Sequence, residues 1–367
     1  MLPPEVLAQV RADLPEWHWH GVGQGASVME VSHRGRAFEE LIAEAEADLR
    51  ELLAIPENYR VLFMQGGAWA QFAAVPMNLL RPGETAGYVV SGGWSKSAAQ
   101  EARKFGDISV LASSEDDAYT RVPTENEWKS TFAENGAASP SPMGNSAPSY
   151  YYVCSNETVF GNEMHALPTG LPAPLVVDAS SHFLSRPIDV AACGLIYAGA
   201  QKNVGPAGVT IVIVRDDLIE RAPKSLPAVL HYGQMAASRS LFNTPPVFSI
   251  YVTALTLKWI KAQGGLAEME RRAIARSSLL YDAIDASRHF RAPVSRADRS
   301  RMNVVFDSGD PAIDAAFVAF CEQRGLSALK GHRSRGGMRA SLYNAMPLAG
   351  VEALVATMRE FETTLSR

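Results

Sequence analysis

The chain has 367 residues, 47% of them hydrophobic and 20% charged, with a formal net charge of −5. That length suggests two domains; the acidic balance excludes general attraction to nucleic acid or an anionic membrane, and no apolar run approaches the roughly 18 residues of a membrane span. Three scattered cysteines, Cys154, Cys193 and Cys321, exclude a disulfide framework or a zinc site and point to a reducing cytoplasmic compartment.

In chain order, the opening MLPPEVLAQV lacks the basic region and apolar stretch of a signal peptide. Residues 35 to 54 place Phe38, Leu41, Ile42, Ala45, Leu49, Leu52 and Leu53 at helical spacing, with Pro56 as the stop. A strand over Val61 to Met64 runs into Gly66-Gly67, and a helix from Ala68 to Leu80 follows, bent or interrupted by Pro76. Further strands are expected at Tyr88 to Val90, Ile108 to Leu111, Tyr150 to Cys154, Leu175 to Val177, Leu195 to Ala198 and Val209 to Val214. Helices between several of them imply an α/β domain with a mostly parallel sheet. The Ser- and Pro-rich stretch 137 to 149 reads as an exposed loop. Beyond Pro246, helices over about 248–262 and 266–286 precede a smaller αβ pattern, with strands near 302–306 and 338–342 and helices near 311–324 and 349–365. We place the boundary near 250–265: a large domain 12–255 and a small domain 256–367, with residues 1–11 packing on the small one.

Four features could carry chemistry. Lys202 sits among small residues in IYAGAQKNVGPAG (196 to 208), between two strand-like segments. Such a turn fixes a lysine and partly desolvates it for Schiff-base chemistry, although a solvated turn lysine reads equally well from this segment alone. Asp178 ends the strand PLVVD and is followed by the small residues ASS; a carboxylate there faces the ligand crevice of an α/β sheet. Gly66-Gly67 and Gly92-Gly93 each join a strand to a helix N-terminus, a setting that binds phosphate, and Trp94 in the second could lie flat on a ring. The run 330 to 339 (KGHRSRGGMR) carries Lys330, His332, Arg333, Arg335 and Arg339 without an acid, and His33-Arg34 is a smaller basic pair; together they could form an anion pocket. No histidine cluster completes a metal site.

These segments together resemble the phosphoserine aminotransferases, fold-type-I class-V pyridoxal phosphate enzymes. The matching stretches are SVMEVSHR (27 to 34), QGGAWAQF (65 to 72), GGWS (92 to 95), NET (156 to 158), VDASSHFLSRPIDV (177 to 190), IYAGAQKNVGPAG, NTPP (243 to 246) and KGHRSRGGMRASLYNAMP (330 to 347). The resemblance implies a seven-stranded, mostly parallel sheet in the large domain and a smaller C-terminal α/β domain. It implies pyridoxal 5′-phosphate carried by Lys202, with Asp178 on the pyridinium nitrogen, Trp94 on the ring face and Thr158 near the ring hydroxyl. Ala68, Trp69 and Gln201 would line the cofactor phosphate, and Asn243 and Thr244 would reach the cofactor of the neighbouring subunit in a homodimer. His33, Arg34, His332, Arg333 and Arg339 would hold the substrate anions. The implied reaction transfers the amino group of L-glutamate to 3-phosphohydroxypyruvate in serine biosynthesis, with a phosphohydroxythreonine precursor of pyridoxine as a second product. The alternatives are an alanine–glyoxylate type aminotransferase, a cysteine desulfurase, and a catalytically impaired cofactor-binding homologue.

Three departures from the family pattern stand out. An opening stretch like Asn-Phe-Ser-Ala-Gly-Pro-Ala is not found before Met1-Leu2-Pro3, Trp69 replaces an arginine of some members, and HWHGVGQG (18 to 25) is longer than usual. The first is expected to weaken contacts around the site.

Overall fold

The computed structural model describes residues 2–23, 25–128 and 148–365. The loop expected at 137–149 therefore lies outside the described residues, apart from its last two. Helix α1 (Pro4–Asp13) leads into a short hairpin, β1 (His18–Trp19) and β2 (Val22–Gly23), which turns at His20 and Gly21, both with positive φ. The hairpin over 18–23 thus has a structural role: it packs Trp19 into the core beside the buried Trp17, which lies edge-on to Tyr251 at 6.0 Å.

The amphipathic helix α2 (Arg36–Leu53) buries Phe38, Leu41, Ala45 and Leu49 against the helix Val247–Ala262. Strand β3 (Tyr59–Met64) precedes α3 (Gly67–Leu79), β4 (Thr85–Val90), α4 (Gly93–Ala102) and β5 (Asp107–Ser113). After them come β6 (Tyr151–Cys154), the hairpin of β7 (Asn156–Glu157) and β8 (Asn162–Glu163), β9 (Leu175–Asp178), β10 (Leu195–Gly199) and β11 (Thr210–Arg215). The main sheet has the order β3-β11-β10-β9-β6-β4-β5 and is parallel except for β11, which runs against both neighbours. Both of its faces are covered, which explains why its strands read as continuous apolar runs. Alternate residues divide between two cores: Val61, Val153, Val177 and Ile213 on one face, Leu62, Tyr152, Val176 and Val212 on the other.

A third core belongs to the small domain, where β12 (Asn303–Phe306) pairs antiparallel with β13 (Met338–Ser341) beneath the helices Pro311–Glu322 and Leu348–Leu365. Leu257, Ile260, Leu266 and Met269 lie in the large-domain core, and the third core begins at Leu280. The two cores therefore divide within the helix Gly265–Ala286 rather than at residue 255. Val6 of α1 also joins the large core, with α1 against the helix Val247–Ala262, so the expected packing of residues 1–11 on the small domain is replaced by this one.

Candidate active site

The C-terminal ends of the parallel strands share one edge of the sheet, where side chains leaving the strands converge on a common crevice. Asp178 ends β9, and Lys202 follows β10 on a tight turn closed by hydrogen bonds from Val204 and Gly205 N–H to the Ala200 carbonyl. The small residues around Lys202 are dictated by close approach. A side chain at Gly199 would meet the Gln201 amide, and one at Gly205 would meet the Thr253 hydroxyl.

A cavity of about 150 Å³ is lined by Gly66, Gly67, Ala68, Trp69, Trp94, Thr158, Asp178, Gln201 and Lys202, among others. Nine residues singled out in the sequence thus meet in one place, although they span 136 positions from Gly66 to Lys202 (202 − 66). The Lys202 amine donates to Thr158 Oγ1 at 3.2 Å. Asp178 is buried, and its Oδ1 accepts the Ser180 N–H at 2.9 Å. Burial raises the Asp178 pKa, opposed by hydrogen bonds from Ser180 and Tyr197 and, more weakly, by the Lys202 charge. The Tyr197 hydroxyl is itself 2.7 Å from that of Tyr152. Trp94 and Trp69 meet edge to face at 6.3 Å and 81°, and Trp69 is 56% exposed. Also lining the cavity, Gly66 (φ 89°) and Gly67 (φ 65°) open the N-terminus of α3, whose backbone N–H groups suit an anion.

Sequence reasoning did not single out Asn156, Ser180, Ser181, Phe72 and Cys154 as site residues, yet they line the same cavity. The small residues after Asp178, the NET motif and the end of QGGAWAQF were the signals for four of them, and Cys154 had none. Cys154 donates to the Asn156 carbonyl, and burial drives its thiol pKa far up, so it is a fixed neutral thiol and no desulfurase nucleophile. Tyr343 of the small domain lies with its ring centre 6.0 Å from the Lys202 amine.

None of the five residues expected to bind the substrate anions lines this cavity. Arg339 lies on β13, on the strand face shared by Ser341, whose hydroxyl accepts from Asn303, and its buried Nε has no partner. His332 and Arg333 line a separate cleft with Arg291, Lys330 and Arg335. Within it Arg335 is neutralised by Asp307 at 2.8 Å, and His332 Nδ1 is 2.8 Å from the Ser334 hydroxyl. His33 is half-buried and Arg34 exposed, ahead of α2, and neither lines the Lys202 cavity. Asn243 and Thr244 lie beside it rather than in it: the Thr244 carbonyl accepts from Gln65 Nε2 at 2.9 Å. Among the described residues no group of acids, cysteines and histidines could hold a metal ion, and no helix is long and apolar enough to cross a membrane.

The site suits a flat anionic heterocycle. It offers an amine for a carbonyl carbon, a buried carboxylate for a ring nitrogen, an indole for a ring face and a glycine-rich helix end for a phosphate. Comparison with known proteins agrees. The class-V aminotransferase family matches residues 1–354. The phosphoserine aminotransferase of Nitrosomonas europaea is 49% identical over 99% of this chain and 96% of its own. The solved phosphoserine aminotransferase of Bacillus circulans subsp. alkalophilus superposes with a TM-score of 0.91 at 43% identity, covering 99% of this chain and 96% of its own. The PLP-bound phosphoserine aminotransferase of Trichomonas vaginalis does so with a TM-score of 0.88 at 38% identity over 98% and 97%. With the site's geometry, a family match over nearly the whole chain and identity near one half, the chain belongs to the class-V aminotransferases and, within them, to the phosphoserine aminotransferase family.

Proposed function

We propose that the protein transfers the amino group of L-glutamate to 3-phosphohydroxypyruvate, giving O-phospho-L-serine and 2-oxoglutarate, with pyridoxal 5′-phosphate held in the Lys202 cavity. The same pocket chemistry serves the phosphohydroxythreonine precursor of pyridoxine. The observation that carries this reading is the meeting of Lys202, Asp178, Thr158 and Trp94 in one cavity, in a chain whose full-length relatives are phosphoserine aminotransferases.

The cofactor, when bound, supplies an electrophilic carbonyl carbon and a ring that withdraws electrons from the substrate α-carbon. Lys202 would hold it covalently and, once its amine is released, carry a proton to and from the substrate α-carbon. Asp178 would keep the ring nitrogen protonated: a buried carboxylate whose pKa is raised by desolvation gains most from a cationic N–H beside it. Trp94 would cover a ring face and Thr158 would donate to or accept from the ring hydroxyl. Ala68, Trp69 and Gln201, with Asn243 and Thr244 from a second copy of the chain, would hold the phosphate. Arg339 would take the substrate α-carboxylate, its unpaired Nε being the donor available on that face. His33, Arg34, His332 and Arg333, absent from the cavity of their own chain, would serve the second copy's site, making the protein a homodimer with shared sites. Three free, buried cysteines support a cytoplasmic location.

The cofactor-loaded protein should be yellow, bleach when glutamate is added and regain colour with 3-phosphohydroxypyruvate. A spectrum that glutamate leaves unchanged would refute the assignment, and bleaching by alanine instead of glutamate would favour the alanine–glyoxylate class. Lys202→Ala should lower turnover by at least about 10²–10⁴-fold, the usual scale for losing a positioned proton carrier.

A further inference from the structure

Helix α4 presents Trp94 in its first turn, where the local capping bonds, from the Ser91 and Gly92 N–H groups to Ser95 Oγ at 3.0 and 3.1 Å, leave the Trp94 and Ser95 N–H groups unmet. Its N-cap is Gly92, which has no side chain to accept the first N–H groups of the helix. Those groups are met from 62 and 63 residues away by Glu157, which is fully buried. Glu157 Oε2 accepts the Trp94 N–H at 3.0 Å, and Oε1 accepts both the Ser95 N–H and the Ser95 hydroxyl at 2.7 Å. A side chain at Gly92 would overlap the Glu157 carboxyl group, so the glycine is what admits the remote carboxylate.

We propose that Glu157 is a positioning residue for Trp94: its carboxylate fixes the first turn of α4 and with it the plane of the indole that faces the Lys202 cavity. A serine or aspartate at position 92 would cap the helix locally and satisfy the same donors. The remote cap does something a local one cannot, because it ties α4 to the β7–β8 hairpin. The next residue of that hairpin, Thr158, accepts from the Lys202 amine. One dipeptide therefore sets both the ring-stacking wall and the lysine, and fixes the spacing between them. Burial raises the Glu157 pKa overall, with the Asp178 charge adding to it, against the donors from Ser95 and Trp94 and the positive end of the α4 dipole. The role in cofactor binding rests on the reading of Trp94 as the stacking residue; the mechanical link between Glu157 and Trp94 does not.

The test uses the full chain labelled with 5-fluorotryptophan, without cofactor and loaded with it. The six tryptophans give separate fluorine resonances, and Trp94→Phe identifies that of Trp94. Glu157→Gln turns one acceptor into an amide that repels the N–H groups it faces. The Trp94 resonance should then shift or broaden in both forms, while those of Trp17, Trp19, Trp128 and Trp259 stay in place. Cofactor affinity should fall about tenfold in Glu157→Gln and in Trp94→Phe, and again only about tenfold in the double variant, because coupled residues are not additive. An unmoved Trp94 resonance, or a double variant weakened about a hundredfold, overturns the proposal. If Glu157→Gln does not fold, Glu157→Asp keeps the charge but shortens the reach, and the same two readouts apply. Undiminished cofactor affinity in Trp94→Phe alone would refute the stacking role of Trp94, while the resonance measurement still judges the link to Glu157.

Discussion

His182 shows how a single side chain can be read physically beyond its motif. It is fully buried, with Nε2 2.5 Å from the Ser155 hydroxyl, a group that also lies 3.1 Å from the Asp178 carbonyl. Its Nδ1 is buried without a partner. Desolvation, with the nearby Arg186 charge, pushes its pKa down to about 3. The unfolded chain takes up this proton near pH 6.5, whereas the folded protein refuses it until about 3. Its contribution to stability is thus fully present above pH 6.5 and is lost as pH falls below it. The buried Glu163, whose burial is outweighed by the His165 hydrogen bond and the Arg186 charge so that its pKa falls to about 2, contributes stability that is fully present above its ordinary pKa of 4.5 and is lost only at more acidic pH. Between pH 6.5 and 5, chemical denaturation should therefore show stability falling by about 1.4 kcal/mol per pH unit more in the wild type than in His182→Asn. Equal slopes in the two proteins would mean that His182 is charged in the folded state.

At the scale of elements, the junction between β3 and α3 makes the sharpest demand on sequence. Gly66 has φ 89°, and a β-carbon there would lie 2.5 Å from the Ala70 β-carbon, so Gly66→Ala combines a left-handed conformation with a clash. A cost of about 1–3 kcal/mol is expected for such strain, seen as a lowered melting temperature together with weaker binding of the cofactor phosphate; unaltered phosphate binding would show that the helix end is not its cradle. This junction was legible because a strand, two glycines and a helical pattern follow in order. The sheet was legible too, since strands such as Leu195–Gly199 and Thr210–Arg215 are buried on both faces and read as unbroken apolar runs. Pro76 was expected to bend or interrupt α3, but the helix continues to Leu79, held by buried Phe72, Val75 and Leu79 against the second core. The basic run 330–339 was the least legible part. Its residues look equivalent in sequence, but Arg335 turns to Asp307, 28 positions away, while Arg339 lies on the face of β13 opposite the core-facing Met338 and Ala340. Which cation is neutralised depends on an acid that local spacing does not reveal.

For the whole molecule, the question is what completes the site. The two domains of one chain are joined by buried polar contacts around it. Asn156 donates to Asn303 at 2.9 Å and accepts from the Ser300 hydroxyl at 2.6 Å, while Asn203, beside Lys202, accepts the Asn344 N–H at 3.0 Å. Arg276 reaches the carbonyls of Asn344 and Met346 at 3.0 and 2.6 Å, bracketing the segment that sets Tyr343 near the lysine. Each such buried contact would leave a polar group unpaired if broken, at about 1–3 kcal/mol, so the arrangement of Lys202 against the small domain is firmly held. The cations for a doubly charged substrate are nevertheless elsewhere: His332 and Arg333 face their own cleft, and Trp69 leaves one wall of the cavity exposed. A symmetric pair of chains would repair both deficits at once, because every contact one copy makes is returned by the other. This can be decided by complementation. Lys202→Ala and His332→Ala/Arg333→Ala should each be nearly inactive as separate proteins. Unfolding them together and refolding at equal amounts should make about half of the dimers mixed, each with one site that has both an intact lysine and intact cations. Activity should then recover to roughly a quarter of the wild-type value, with colour change on glutamate restored in the same proportion. If each chain builds its site alone, the refolded mixture will show no more than the mean of the two parents.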